Sequence, residues 1–179
     1  IFRFSADEHV EGGIRIEEAK EIAKLVAEAG ADAVHISAGN YASVYWTTQP
    51  MFLPRGCLVP LAAAVRQAVR VPVIAVGRIN DADLAEKVLQ EGKADLIAIG
   101  RALLADPDLP KKSWEGKSAK IRRCIACNTC MDRVLRMVDI ACLVNPEAAH
   151  EGDSEQKAPT SKRVLVIGGG PAGLEAARV

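Results

Sequence analysis

Short apolar runs alternate with amphipathic stretches along the first hundred residues. Ile1 to Phe4, Ala33 to Ile36, Val73 to Val76 and Leu96 to Ile99 are predicted as strands. Between the first two, Ile16, Ala19, Ile22, Ala23, Val26 and Ala29 recur at helical spacing and predict a helix over 16–29, stopped by Gly30. A second helix is predicted from Leu61 to Val69, with Pro60 tolerated in its first turn. A third is predicted from about Ala82 to Gln90, capped by Asn80 or Asp81 and ended by Gly92. The segment from Ser37 to Leu58, rich in Gly, Pro and aromatic residues, is predicted as a long loop. Near-continuously apolar strands alternating with helices imply a parallel sheet. A doubly wound sheet and one half of an eight-stranded barrel both fit that pattern.

The pattern then changes. Leu103 to Pro110 reads as a short helix and a turn, because the prolines cannot continue a helix. A charged stretch from Lys111 to Arg123 leads into a cysteine-rich run. Residues 151–162 are polar, with Gly, Ser and Pro, and read as a linker. Arg163 to Ile167 is predicted as a new apolar strand. The division this suggests is 1–110, 111–150, a linker over 151–162 and the start of another unit over 163–179. The chain opens at Ile1 and closes at Val179 inside a predicted helix, so it is expected to be an excerpt of a longer polypeptide.

Composition narrows the class. Among 179 residues, 23 basic and 23 acidic side chains balance, and 49% are hydrophobic. That argues for a globular protein and against an electrostatically driven nucleic-acid partner. No apolar run reaches membrane-spanning length, so no membrane partner is expected. Cytoplasmic location is expected, since free thiols at metal-ligand spacing suit a reducing compartment.

Those thiols carry the clearest chemistry. Cys124, Cys127 and Cys130 sit in Cys-Ile-Ala-Cys-Asn-Thr-Cys, and Cys142 follows eleven residues later. Three thiols within seven residues can cap one face of an inorganic cluster, with the fourth returning from a short excursion, as in iron–sulfur ligation. Structural zinc is the competing reading, although zinc sites usually pair two Cys-x2-Cys hooks or mix Cys with His. A disulfide framework needs an oxidising compartment. Cys57 lies far upstream and reads as a small apolar residue.

Two further patterns point to phosphate. Gly77-Arg78 and Gly100-Arg101 each end a predicted strand, where glycine admits close backbone approach and arginine offers a charged planar fork. In eight-stranded α/β barrels the loops after the last two strands often form a phosphate site. Near the C-terminus, Gly168, Gly170 and Gly173 form Gly-x-Gly-x-x-Gly between a predicted strand and a predicted helix, the context of a dinucleotide fingerprint.

Taken with Arg3-Phe4-Ser5, Ser37-Ala38-Gly39, Val76-Gly77-Arg78-Ile79-Asn80, Ile99-Gly100-Arg101-Ala102 and Ala105-Asp106-Pro107, the cysteine run resembles the iron–sulfur flavoenzymes of the old yellow enzyme superfamily. That group includes 2,4-dienoyl-CoA reductase and trimethylamine dehydrogenase. The resemblance implies the C-terminal half of a (β/α)8 TIM barrel that binds FMN, followed by a segment holding a [4Fe-4S] cluster and the start of a Rossmann-like domain binding FAD or a nucleotide such as NAD(P). It implies that Arg3 lies against the flavin ring, that Gly77, Arg78, Gly100 and Arg101 contact the FMN phosphate, and that Cys124, Cys127, Cys130 and Cys142 ligate the cluster. It also implies NAD(P)H as electron donor, a small-molecule substrate and a homo-oligomer. The implied reaction is reduction of an activated carbon–carbon double bond. Oxidative demethylation of an amine is the alternative, with Tyr41, Tyr45 and Trp46 as candidate aromatic-cage residues. A zinc-stabilised or electron-carrier module without catalysis is the alternative of another class. The Cys-x2-Cys-x2-Cys spacing is closer to trimethylamine dehydrogenase than to the dienoyl reductases. Where the latter carry a catalytic histidine, this chain has Gly39-Asn40-Tyr41, which makes Tyr41 the candidate proton donor. His35 reads as structural.

Overall fold

The computed structural model describes residues 1–152 and 160–178. Most of the expected linker therefore lies outside the described residues. Four strands, β1 (Phe2–Ser5), β2 (Val34–Ser37), β3 (Val73–Ala75) and β4 (Leu96–Ile97), form one parallel sheet in the order β1-β2-β3-β4. Each strand lies beside its predecessor. A doubly wound sheet reverses its strand order, and this one does not.

The register explains why the helices gather on one face. Phe4, Ile36, Ala75 and Ile97 line up across the strands, as do Phe2, Val34 and Val73. Against Phe4, Val34, Ile36, Val73, Ala75 and Ile97 pack α1 (Ile16–Glu28), α3 (Val59–Arg66) and α4 (Ala82–Gln90). Fully buried Ala19, Ala23 and Ala62 let the helix backbones approach the sheet closely. Each fully buried Val34, Ile36, Val65 and Val73 contributes about 1.5–3 kcal/mol. The alternate row, Arg3, His35, Ile74 and Leu96, faces away from these helices.

Local signals set the helix ends. The Glu18 carboxylate accepts from the Arg15 N–H at the start of α1, and Gly30, at φ 98°, turns the chain out after it. Of the two candidate caps for α4, Asp81 serves, accepting from the Leu84 N–H at 2.8 Å.

Three expectations need correction. The segment after β2 is not a plain loop: Asn40 caps a 3-10 turn over Tyr41–Ser43, which runs into a short helix α2 (Val44–Thr47). Pro110 does not close a turn. It stands in the first turn of α6 (Leu109–Trp114), where its missing N–H costs nothing, after α5 (Arg101–Ala105). Finally, the apolar run from Arg163 to Ile167 forms no ladder with any strand among the described residues, and Val164, Leu165 and Ile167 are exposed. An apolar run becomes a strand only beside a partner that pairs its N–H and C=O groups. In chain order α7 (Thr129–Leu135) precedes this run and α8 (Pro171–Arg178) follows it. No helix among the described residues is long and apolar enough to cross a membrane.

Candidate active site and cysteine pocket

A cavity of about 480 Å³ opens at the C-terminal ends of β3 and β4. Both Gly-Arg pairs reach it: Gly77, Arg78, Gly100 and Arg101 all line its wall, together with Arg3 and His35 from the helix-free face of the sheet. Three arginines and no carboxylate line the cavity, so it favours an anion. Two of the lining residues each carry a buried polar atom, His35 Nε2 and Asn80 Oδ1, with no hydrogen-bond partner among the described residues. Burial, and then the neighbouring Arg3 charge, lowers the His35 pKa from its ordinary value. His35 is therefore neutral at neutral pH. Read from the sequence as structural, it stands among the residues lining the cavity, on the helix-free face that alternation along β2 assigns it.

The two glycines differ in kind. At Gly77, φ is 115° and an added Cβ would meet the Leu58 side chain at 2.7 Å, so the fold itself requires glycine. At Gly100, φ is −112° and an added Cβ would meet nothing within 4 Å. No protein neighbour explains that glycine. It leaves room on the cavity wall for a group that approaches the backbone.

The cysteines converge beside this cavity. Cys124, Cys127, Cys130 and Cys142 all line one small pocket, and none forms a disulfide. The loop winds tightly through left-handed Ala126 and Asn128, at φ 56° and 63°. The Ala126 N–H points at Cys124 Sγ, 3.4 Å away. Burial pushes the Cys130 thiol pKa up, and the nearby Arg101 charge opposes that shift. No group of three or more His, Cys, Asp or Glu among the described residues is arranged to hold a single metal ion. A tetrahedral zinc needs its sulfurs within about 4 Å of one another, given Zn–S near 2.3 Å. Four thiols thus share one pocket, with a backbone N–H aimed at one of the sulfurs.

Three buried polar side chains tie the cysteine segment to the loop after β3 and to α5 and the residue after it. Asn80 Nδ2 donates to the Cys124 carbonyl at 2.9 Å. Asp106 accepts from the Arg122 N–H at 2.8 Å. Asn145 Nδ2 donates to the Leu104 carbonyl at 2.8 Å, and its own N–H bonds the Cys142 carbonyl. As a result the two sites share a wall: Arg101 and Cys124 each line both the arginine cavity and the cysteine pocket. Thr47, Thr48 and Gln49 also reach the cavity. Sequence reasoning missed them because nothing in the segment after β2 distinguishes them from other polar loop residues.

Tyr41 does not join the site. It is 98% exposed and is not among the cavity residues. Asn40, capping the turn with its side chain, leaves Tyr41 on the outer surface. Tyr45 and Trp46 also lie outside the cavity lining, and Trp46 stacks on His9 with ring centroids 3.9 Å apart. At the C-terminal fingerprint, an added Cβ on Gly173 would lie 2.1 Å from the Gly168 carbonyl oxygen, and Gly168 itself has φ 108°. Both positions require glycine for the loop to close onto α8.

Residues 1–119 match the NADH:flavin oxidoreductase / NADH oxidase family. The chain belongs to that family. It is 48% identical over 180 residues to an NADH oxidase of Thermoanaerobacter brockii, covering 98% of this chain and 28% of that protein. It is 41% identical over 175 residues to a cinnamate reductase of Clostridium sporogenes, covering 97% of this chain and 26% of that protein. Among solved structures, a 2-naphthoyl-CoA reductase in complex with 2-naphthoyl-CoA superposes with a TM-score of 0.89 at 35% identity, covering 99% of this chain and 28% of that one. The chain thus spans about a quarter of the length of these family members.

Proposed function

We propose that this chain is the part of a flavin oxidoreductase in which an FMN site and an iron–sulfur site meet. In this reading the four strands are an arc of a (β/α)8 barrel over 1–110, residues 111–150 carry the [4Fe-4S] cluster, and the glycines at 168, 170 and 173 begin an FAD-binding unit. The observation that carries the reading is the shared wall: Arg101 and Cys124 border both the anion-favouring cavity and the pocket of four thiols.

Arg78 and Arg101 would hold the FMN phosphate, with Gly77 and Gly100 letting it approach the backbone. Arg3 would face the ring system from the helix-free side of the sheet. Cys124, Cys127, Cys130 and Cys142 would hold the cluster. When bound, flavin accepts or donates electrons singly or as hydride, and a cluster passes them singly. The protein's part is positional. Arg78 and Arg101 would neutralise the phosphate charge, with Arg3 adding positive charge to the same cavity wall. His35 Nε2 and Asn80 Oδ1 are hydrogen-bonding atoms that no described residue satisfies. The clamps on the cysteine loop keep it against the cavity.

The balanced reaction is NAD(P)H plus a proton plus an activated C=C bond, giving NAD(P)⁺ and the saturated product. The names of the cinnamate and 2-naphthoyl-CoA reductases support unsaturated carbonyl substrates. Amine demethylation draws less support from the site, because Tyr41, Tyr45 and Trp46 build no aromatic cage on the cavity.

The test is anaerobic purification followed by flavin, iron and acid-labile sulfide analysis, then NADH oxidation with cinnamate or enoyl thioesters set against secondary and tertiary amines. FMN, iron and sulfide with enoate turnover are expected. Zinc without iron or sulfide would sink the electron-transfer reading, and turnover of amines alone would replace the substrate assignment.

A further inference from the structure

Asn128 sits between two of the four thiols, yet every bond its side chain makes reaches away from them. Its Nδ2 donates to the Thr48 carbonyl at 2.9 Å, eighty residues back along the chain. Its Oδ1 accepts from Arg101 Nη1. The same Nη1 donates to the Gln49 carbonyl at 2.8 Å. Thr48, Gln49 and Arg101 all line the arginine cavity. A closed ring of hydrogen bonds thus joins the cysteine loop, the segment after β2 and the start of α5.

Two consequences follow from donor arithmetic and backbone geometry. A guanidinium carries five N–H groups. Both hydrogens of Nη1 go to protein oxygens, while Nε and Nη2 of Arg101 have no protein partner among the described residues. The edge left free is the one whose two parallel N–H groups match a phosphate or carboxylate. The backbone at Asn128 is left-handed, φ 63°, a conformation Asn adopts more readily than most residues. The cysteine loop must therefore hold this turn for Oδ1 to reach Arg101.

We propose that Asn128 is a positioning residue that couples the two sites. By fixing Nη1 it aims the free edge of Arg101 at the anion in the cavity, so tight retention of a phosphorylated flavin depends on the conformation of the cysteine loop. The proposal rests on the reading of the cavity as an FMN site. It adds that the cluster segment takes part in holding the phosphate.

The experiment compares FMN with riboflavin, which lacks the phosphate, on purified cluster-containing protein stripped of flavin. Affinities are read by quenching of flavin fluorescence, with iron content measured in parallel. Asn128→Gly keeps the left-handed turn and removes the side chain; Asn128→Ala removes both advantages. Wild type is expected to prefer FMN. N128G is expected to lose about tenfold in FMN affinity, the scale of one lost hydrogen bond to a charged group. Its riboflavin affinity and iron content are expected to stay as in wild type. A full FMN preference in N128G overturns the coupling, whether iron is retained or lost, because Asn128 then serves the loop alone. Equal loss of FMN and riboflavin affinity also overturns it, since the effect is then not on the phosphate. If wild type itself shows no preference, the FMN reading fails first, and that failure is visible without any variant.

Discussion

The Asp106 carboxylate is fully buried, and its two oxygens lie 2.8 and 2.7 Å from Lys112 Nζ. It also accepts from the backbone N–H groups of Arg122 and Asp108. Burial by itself would raise the Asp106 pKa. The Lys112 hydrogen bond, the two N–H groups and the Lys112 charge outweigh burial and hold it below the ordinary carboxylate range. A lowered carboxylate pKa stabilises the fold above the unfolded value of about 4 and loses that contribution as pH falls through the folded value. Acid should therefore loosen the approach to the cysteines at Arg122. Lys112→Met should cost about 1.5–3 kcal/mol in urea unfolding at pH 7. Asp106→Asn should flatten the acid limb of the stability profile. An unchanged acid limb in D106N would assign the pH dependence elsewhere.

Asn145 does for the returning cysteine what Asp106 does for the approach. It is 1% exposed, and its side chain bonds the Leu104 carbonyl at the end of α5 and the Glu147 N–H. Asn145→Ala leaves the Leu104 carbonyl without this donor, a loss of about 1–3 kcal/mol. The expected outcome is a lower melting temperature together with faster alkylation of Cys142 than of Cys127 in metal-free protein. Equal rates at the two thiols would show that Asn145 does not hold the Cys142 turn specifically.

These clamps mark the limit of what the residue pattern discloses. Strand positions, α1 and α4 were legible because Ile36, Val73, Ala19 and Ala23 obey simple periodicities. Both Gly-Arg pairs were legible because strand ends place them together in any parallel α/β sheet. Asp106 and Asn145 were visible only as parts of Asp-Pro and Asn-Pro turns, and Asn128 only as a spacer between thiols. Their partners lie 16, 41 and 80 residues away at Arg122, Leu104 and Thr48, and no local pattern encodes such contacts. The failure at 163–167 has the same origin: a strand is a property of a pair, whereas apolar periodicity belongs to one segment.

His35 supplies a titration that reports on the cavity. Its pKa is lowered first by burial and then by the positive charge of Arg3, its cross-strand neighbour. Arg3→Met removes the second cause, so the imidazole should titrate at higher pH than in wild type while staying below its ordinary value. NMR titration of the ring protons checks this. For a histidine whose folded pKa is lowered, the unfolded chain binds more protons below about pH 6.5, so stability falls as pH drops through that region. His35→Gln should reduce that fall. A His35 pKa that does not move in R3M would mean that burial alone sets it.

The two glycines of the Gly-Arg pairs separate what the fold needs from what a ligand needs. Gly77→Ala forces a left-handed alanine and drives its Cβ into Leu58, at 2.7 Å in the present backbone. It should cost more than about 1 kcal/mol in stability, with or without flavin. Gly100→Ala meets no protein atom within 4 Å, although its backbone, φ −112° and ψ −88°, lies outside the ordinary helical and extended regions. Its stability should fall less than that of Gly77→Ala, which adds a side-chain clash to its strain. Its methyl group, however, stands on a residue of the cavity wall beside Arg101. If a phosphate packs against this backbone, G100A should bind FMN more weakly than wild type, by more than its stability change accounts for. Urea unfolding of the flavin-free proteins and FMN titration of the folded ones resolve the two effects. Normal FMN affinity in G100A would place the phosphate away from Gly100 and against the Gly77-Arg78 end of the cavity.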